Sequence, residues 1–158
     1  MISDWIEQLR DFYETHREEL YGYALAMTRD RHAAEDAIHA AFHRLLRRGR
    51  SPAELRPYVF RCVRNAVIDE RRRATARAES VLEGEATGPC PGGARAGDLD
   101  AMLGQLSDDE RETIVLKVLD SLTFREIAEA RRVPLHTAAS WYRRGMEKLR
   151  ARLAKEES

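Results

Sequence analysis

Apolar residues recur at three- and four-residue steps through most of this chain, the spacing that places them along one side of an α-helix. In the first such stretch Leu9, Phe12, Leu20, Tyr23, Ala24 and Met27 mark a buried stripe, and Ser3 is placed to cap its start. Ala34, Ala37, Ile38, Ala41, Phe42 and Leu45 repeat the pattern in a second helix, for which Asp30 is the cap. Ser51-Pro52-Ala53-Glu54 then combines a capping box with proline at a first helical position. The ring of Pro57 would clash with the carbonyl four residues back, so a short turn at 52–55 is expected, with the main helix from Pro57. That helix buries Val59, Cys62, Val63, Ala66 and Val67 and is expected to end in the basic run Arg71-Arg72-Arg73.

From Ala74 to Asp98 the pattern collapses. Five of the nine glycines and two of the five prolines fall within 84–97, and large apolar residues almost vanish, which reads as a flexible linker. Order resumes with Leu99, Met102, Leu103 and Leu106, and Ser107-Asp108-Asp109-Glu110 caps a helix carrying Ile114, Val115, Val118 and Leu119. No strand signal appears. The expected fold is all-α: two small helical domains, 1–77 and 99–158, joined by a flexible linker at 78–98.

The second domain contains a helix-turn-helix. Thr123 and Glu126 form a capping box, Ile127 and Ala128 continue the stripe, and Val133-Pro134 break it. A second helix then starts near Leu135, with Ala138, Tyr142, Gly145 and Leu149 on its inner face. His136, Thr137, Ser140, Trp141, Arg143, Arg144 and Lys148 are expected on the outer face, where arginines, hydroxyls and an aromatic suit reading of a DNA major groove.

Composition changes this picture only through its distribution. Basic and acidic residues number 27 each, so net charge predicts no partner. By segment, 1–40 holds four basic and nine acidic residues, 41–77 eleven and three, 78–110 one and eight, and 111–158 eleven and seven. Two basic segments, each behind an acidic one, suit two separate contacts with a polyanion, and the arginine bias favours phosphate. In the first of them Arg61, Arg64, Asn65 and Arg71–Arg73 line one helix behind the loop at 48–54, which includes Arg50 and Ser51 and is placed to hold an extruded base. Tyr58 and Phe60 either stack on bases there or pack in the core.

Other chemistry finds little support. Cys62 reads as a small core residue, and neither Cys62 nor Cys90 has a CxxC partner or a histidine at ligand spacing. His39 and His43 stand one turn apart without a third ligand, and no histidine pairs with a nucleophile. No metal, cofactor, small-molecule substrate or enzymatic activity is therefore expected. With no apolar run of about 18 residues and no signal-like start, a cytoplasmic chain without membrane insertion is expected.

The order of these motifs resembles a compact bacterial sigma factor of the extracytoplasmic-function group. Ala34-Glu35-Asp36-Ala37-Ile38 with Phe42 resembles that family's polymerase clamp-binding helix. Tyr58 to Arg61, Arg64 to Asp69 and Arg71-Arg72 resemble its −10 helix, and Leu106 to Leu122 the entry to its −35 domain. The resemblance implies core RNA polymerase, promoter DNA and an anti-sigma factor as partners. It implies polymerase binding by Glu35, Asp36, His39 and Phe42, with promoter melting and −35 reading by the two basic sets above.

Three departures from the family pattern stand out. His39-Ala40-Ala41 replaces Gln-Glu-Thr in the clamp helix, which removes two polar contacts. Arg132 stands in the turn where glycine is usual, and an arginine at positive φ costs about 1 kcal/mol, so an altered turn is expected. The recognition helix reads His136-Thr137-Ala138-Ala139-Ser140-Trp141-Tyr142 in place of Gly-Thr-Val-Lys-Ser-Arg-Leu, losing two cations and gaining a tryptophan. The alternatives are a sigma mimic that engages an anti-sigma regulator without initiating, and a stand-alone helix-turn-helix regulator.

Overall fold

A computed structural model describes residues 2–80 and 101–157. These residues fall into two compact units, one within Met1–Cys90 and one within Pro91–Ser158. Every regular element among them is helical. The first unit holds α1 (Ile2–Thr28), α2 (Arg31–Arg48) and α3 (Leu55–Ser80). The second holds α4 (Asp108–Ile114), which continues as a π-helical turn (Val115–Leu119), then α5 (Phe124–Arg131) and α6 (Leu135–Glu157).

In the first unit α2 packs against both neighbours. Its buried face is mostly alanine (Ala33, Ala34, Ala37, Ala41), with Ile38 and Leu45, so α1 and α3 can approach closely. The larger side chains come from those neighbours: Leu9, Leu20, Tyr23 and Met27 from α1, Val59, Phe60, Val63 and Val67 from α3. Trp5 is also buried, and its indole nitrogen donates to the Leu45 carbonyl at 2.7 Å, satisfying a carbonyl the end of α2 leaves open. Asp30 caps α2 as expected, accepting from the amides of His32 and Ala33, and Gly49 ends it at φ +74°.

Several boundaries differ from the sequence reading. The first helix begins at Ile2, so Ser3 lies inside its first turn and not ahead of it. Ser51 also forms no cap: its hydroxyl donates to the Pro52 carbonyl at 3.2 Å, and α3 begins at Leu55, ahead of Pro57. Pro57 is tolerated because the first four amides of a helix need no acceptor and the carbonyl four back, on Ala53, lies outside it. At its far end α3 runs past Arg71-Arg72-Arg73 to Ser80. Residues 74–80 lost the apolar stripe but contain no breaker, and the Thr75 hydroxyl donates to the Arg71 carbonyl at 3.0 Å. The linker boundary at 77/78 therefore falls inside a helix; residues 81–98 and Leu99 lie outside the described residues. Cys62 is half-buried, not a core residue.

In the second unit Ser107 and Glu110 complete a capping box at 3.0 and 3.2 Å. The helix then widens, with the Asp120 amide reaching the Val115 carbonyl at 3.2 Å, five residues back. That register shift turns Val118 (54% exposed) and Leu119 (50%) outward, against the buried stripe expected of them, and buries Leu116. Thr123 and Glu126 form the capping box of α5, which packs Ile127, Ala128 and Ala130 inward. The turn that follows keeps the left-handed residue that glycine ordinarily supplies: Arg132 sits at φ +57°, ψ +49°. Its amide and that of Val133 close the end of α5 onto the carbonyls of Ala128 and Glu129. Pro134 leads into α6, which packs on α4 and α5.

Candidate nucleic-acid and polymerase interfaces

On α2, at about 100° per residue, Glu35, His39 and Phe42 fall within about 60° of arc, with Asp36 about 100° from Glu35. Asp36 and His39 are exposed, while Glu35 and Phe42 are half-buried. Phe42 meets Tyr13 of α1 edge-on, with ring centres 5.2 Å apart, so part of its surface is already committed. Beside it Tyr13, Arg17, Tyr21, Leu25 and Glu35 line a cleft of about 580 Å³. Burial, then a hydrogen bond with Tyr13, pushes the Tyr21 hydroxyl up to about 12. The α1 side of this surface was absent from the sequence reading, because its residues fall between the periodic apolar positions.

Along α3, Arg64, Asn65 and Arg72 lie within about 60° of the direction of Arg61. Asn65 and Arg72 are exposed, and Arg61, Arg64 and Arg71 are half-buried. Arg73 departs from this grouping. It points about 120° away from Arg61 and bonds Glu70 at 3.0 Å, so it does not join the basic stripe. Phe60 is 1% exposed and belongs to the core, where it meets Tyr23; it offers no ring to a base. Tyr58 is half-buried, with the guanidinium carbons of Arg48 and Arg61 at 4.6 and 5.3 Å from its ring centre. Arg50 and Ser51 are exposed in the connection that precedes α3.

On α6, His136, Arg143 and Arg144 are exposed, and Thr137 and Ser140 are half-buried beside them. Two members of the expected outer face are engaged elsewhere. Trp141 packs against the Arg131 guanidinium, 4.2 Å from the ring centre, at the flank of the buried face. Arg131 itself is buried among Asp109, Glu112 at 3.2 Å and the Thr113 hydroxyl at 2.9 Å. Lys148 reaches back to Glu110 at 2.6 Å. Burial alone pushes the Glu110 carboxyl up, but Lys148, with the Ser107 amide and hydroxyl, outweighs it and holds the group below the usual 4.5. Glu147 is exposed between Arg143 and Arg144 in helical direction, so the free cationic patch is smaller than the sequence implied.

Comparison with known proteins fits this arrangement. The family described as sigma-70 region 2 matches residues 12–77, and sigma-70, region 4 matches residues 96–149. The chain is 31% identical to the ECF RNA polymerase sigma factor SigE of Mycolicibacterium smegmatis, over 99% of its own length and 64% of that protein's. It is 30% identical to the RNA polymerase sigma factor CarQ of Myxococcus xanthus, over 96% of its own length and 92% of CarQ. Among solved structures, the sigma factor RpoE in complex with the anti-sigma factor NepR from Bartonella quintana has the same fold. Its TM-score is 0.71 at 20% identity, over 92% of this chain and 98% of that one. CnrH in complex with the cytosolic domain of CnrY gives 0.74 at 20% identity, over 98% and 92%. The chain belongs to the extracytoplasmic-function group of the sigma-70 family of RNA polymerase sigma factors.

Proposed function

We propose that this chain is a transcription initiation factor that directs core RNA polymerase to promoters. The exposed face of α2 (Asp36, His39, with Glu35 and Phe42) meets the polymerase. The α3 stripe, with Arg50 and Ser51 ahead of it, holds and opens the −10 element. His136, Thr137, Ser140, Arg143 and Arg144 on α6 read a −35 element. The observation that carries the reading is the grouping of Arg61, Arg64, Asn65 and Arg72 along one side of α3, in a chain of this family. A phosphate backbone is bound by such a row of guanidiniums, and the exposed amide suits the edge of a base. An anti-sigma factor is the proposed regulator, by likeness to RpoE, which was solved with one. The factor acts in the cytoplasm, where promoter DNA lies.

The test is reconstitution with core polymerase. Wild type should co-purify with core and give permanganate-reactive thymines on a cognate promoter, and Asp36→Arg should lose co-purification. A wild-type protein that neither joins core nor opens DNA overturns the proposal. A second reading, a mimic that binds an anti-sigma factor without initiating, is favoured by α6 alone, where Trp141 and Lys148 face internal partners and Glu147 faces out. Binding to an anti-sigma factor by a protein that neither joins core nor yields a run-off transcript would select it.

A further inference from the structure

Tyr58 sits where α2 ends and α3 begins, and two cations meet on it, Arg61 of the α3 stripe and Arg48, which lies outside that stripe. Arg48, the last residue of α2, lies 4.6 Å from the ring centre and also donates from its guanidinium to the Tyr58 hydroxyl. Arg61, one turn along α3, lies 5.3 Å from the same centre. Among the described residues neither arginine has a carboxylate partner. Arg44, one turn earlier on α2, does have one, Asp69 at 3.5 Å. Two guanidiniums are therefore held on one ring, their charges only partly met by its π-face. A base stacking on this ring would compete with them.

We propose that Tyr58 is a positioning residue for a phosphate-binding fork made by Arg48 and Arg61, and that Arg48 is an additional contact to the DNA backbone at the upstream end of the α3 stripe. The inference rests on the promoter-binding reading above and deepens it. Each guanidinium offers a planar set of donors that matches a phosphodiester's oxygens, and fixing both side chains on a rigid ring lowers the ordering cost of binding. The Cys62 thiol, on the next residue of α3, accords with this crowding of charge. Burial pushes it up, while Tyr58, Arg61, Arg48 and Arg44 pull it down. Base stacking on Tyr58 and backbone binding by its two arginines make different demands on salt, and this separates them.

The experiment uses holoenzyme reconstituted from core polymerase and the full chain, titrated with a fork-shaped DNA carrying a single-stranded −10 segment, over a range of KCl. Each phosphate contact on a single strand contributes about 0.7 to the slope of log affinity against log salt. Arg48→Gln, an exposed change that leaves the cores untouched, should reduce the slope by about that amount and weaken all −10 sequences equally. Tyr58→Leu should reduce it by up to about twice as much, because both arginines lose their support. Tyr58→Phe, which keeps the ring, should restore most of it. An unchanged slope in Arg48→Gln overturns the fork. So does a Tyr58→Leu holoenzyme that binds more weakly with the wild-type slope, which would mark the ring as a stacking platform. If wild type forms no holoenzyme, the promoter reading fails and the fork falls with it. A wild-type holoenzyme that opens promoters, together with an Arg48→Gln slope equal to that of wild type, refutes the fork alone.

Discussion

Trp141 of α6 and Arg131 at the end of α5 are packed as a pair, the guanidinium 4.2 Å from the centre of the indole. The arginine is simultaneously held by Asp109, Glu112 and Thr113 of α4, so one side chain joins α4, α5 and α6. A tryptophan in place of a DNA-facing arginine is thus explained by packing.

Trp141→Arg, which restores the residue usual in the family, should lower stability. It removes a cation–π contact of about 1–2 kcal/mol and sets a second cation beside a buried one. Urea unfolding should show a reduced midpoint, with no gain in −35 affinity. A variant as stable as wild type that binds −35 DNA more tightly would return position 141 to the DNA-facing set.

Lys148 and Glu110 make a prediction that depends on pH. The folded Glu110 carboxyl is held below 4.5, so its contribution is present above that pH and lost as pH falls through the depressed value. In Lys148→Met only the Ser107 amide and hydroxyl still oppose burial, so the carboxyl rises from its depressed value and the contribution of the pair is lost. The stability gap between the two proteins should be largest near neutral pH and close below pH 4.5. Denaturant titrations at several pH values measure it. A gap that does not change with pH would show that the ion pair contributes nothing. Because the ammonium is already engaged, the salt slope of −35 binding should not change in the variant.

Much of this fold was legible because its signals are local. Asp30, Ser107 and Thr123 each satisfy amides within three residues of themselves, so a cap can be read from a handful of letters. The stripes of α1 and α2 were legible through their period. The π-helical turn was not, since nothing in Val115–Leu119 differs from an ordinary helix until Leu116 is pulled into the core. The extension of α3 to Ser80 was missed because helix propensity without an apolar face leaves no periodic trace. In the candidate sites, residue type pointed to α2, α3 and α6, but pairings between elements decided which of the cations are engaged within the fold. Arg131 with Trp141, Lys148 with Glu110 and Arg48 with Tyr58 are contacts ten or more positions apart, invisible to spacing along one helix.

Gly145 of α6 is buried directly against Ile114 and Glu110 of α4. A Cβ there would lie 2.5 Å from Ile114 Cδ1, and Ile114 is buried with little room to turn aside. Gly145→Val should therefore cost about 1–3 kcal/mol despite the better helix propensity of valine. Adding Ile114→Ala should make the double variant more stable than the sum of the single losses, since each change relieves the other. Thermal melts of the four proteins test this. Strict additivity would mean that the two residues do not share this space.

The two neighbouring arginines Arg72 and Arg73 should behave differently. Arg72 points within about 20° of Arg61, whereas Arg73 points about 120° away. Arg73 also bonds Glu70 at 3.0 Å, and the Glu70 side chain is only 9% exposed. If the α3 stripe holds the −10 element, Arg72→Gln should weaken holoenzyme binding and reduce the salt slope by about 0.7–0.9, the share of one phosphate. Arg73→Gln should leave the slope alone and cost up to about 1 kcal/mol of stability, the range of an exposed ion pair. Asn65→Ala, which removes no charge, should lower permanganate reactivity of the −10 thymines at an unchanged slope. Equal slopes for Arg72→Gln and Arg73→Gln would mean that the basic run acts as diffuse charge, and the assignment of one face of α3 to DNA would be lost.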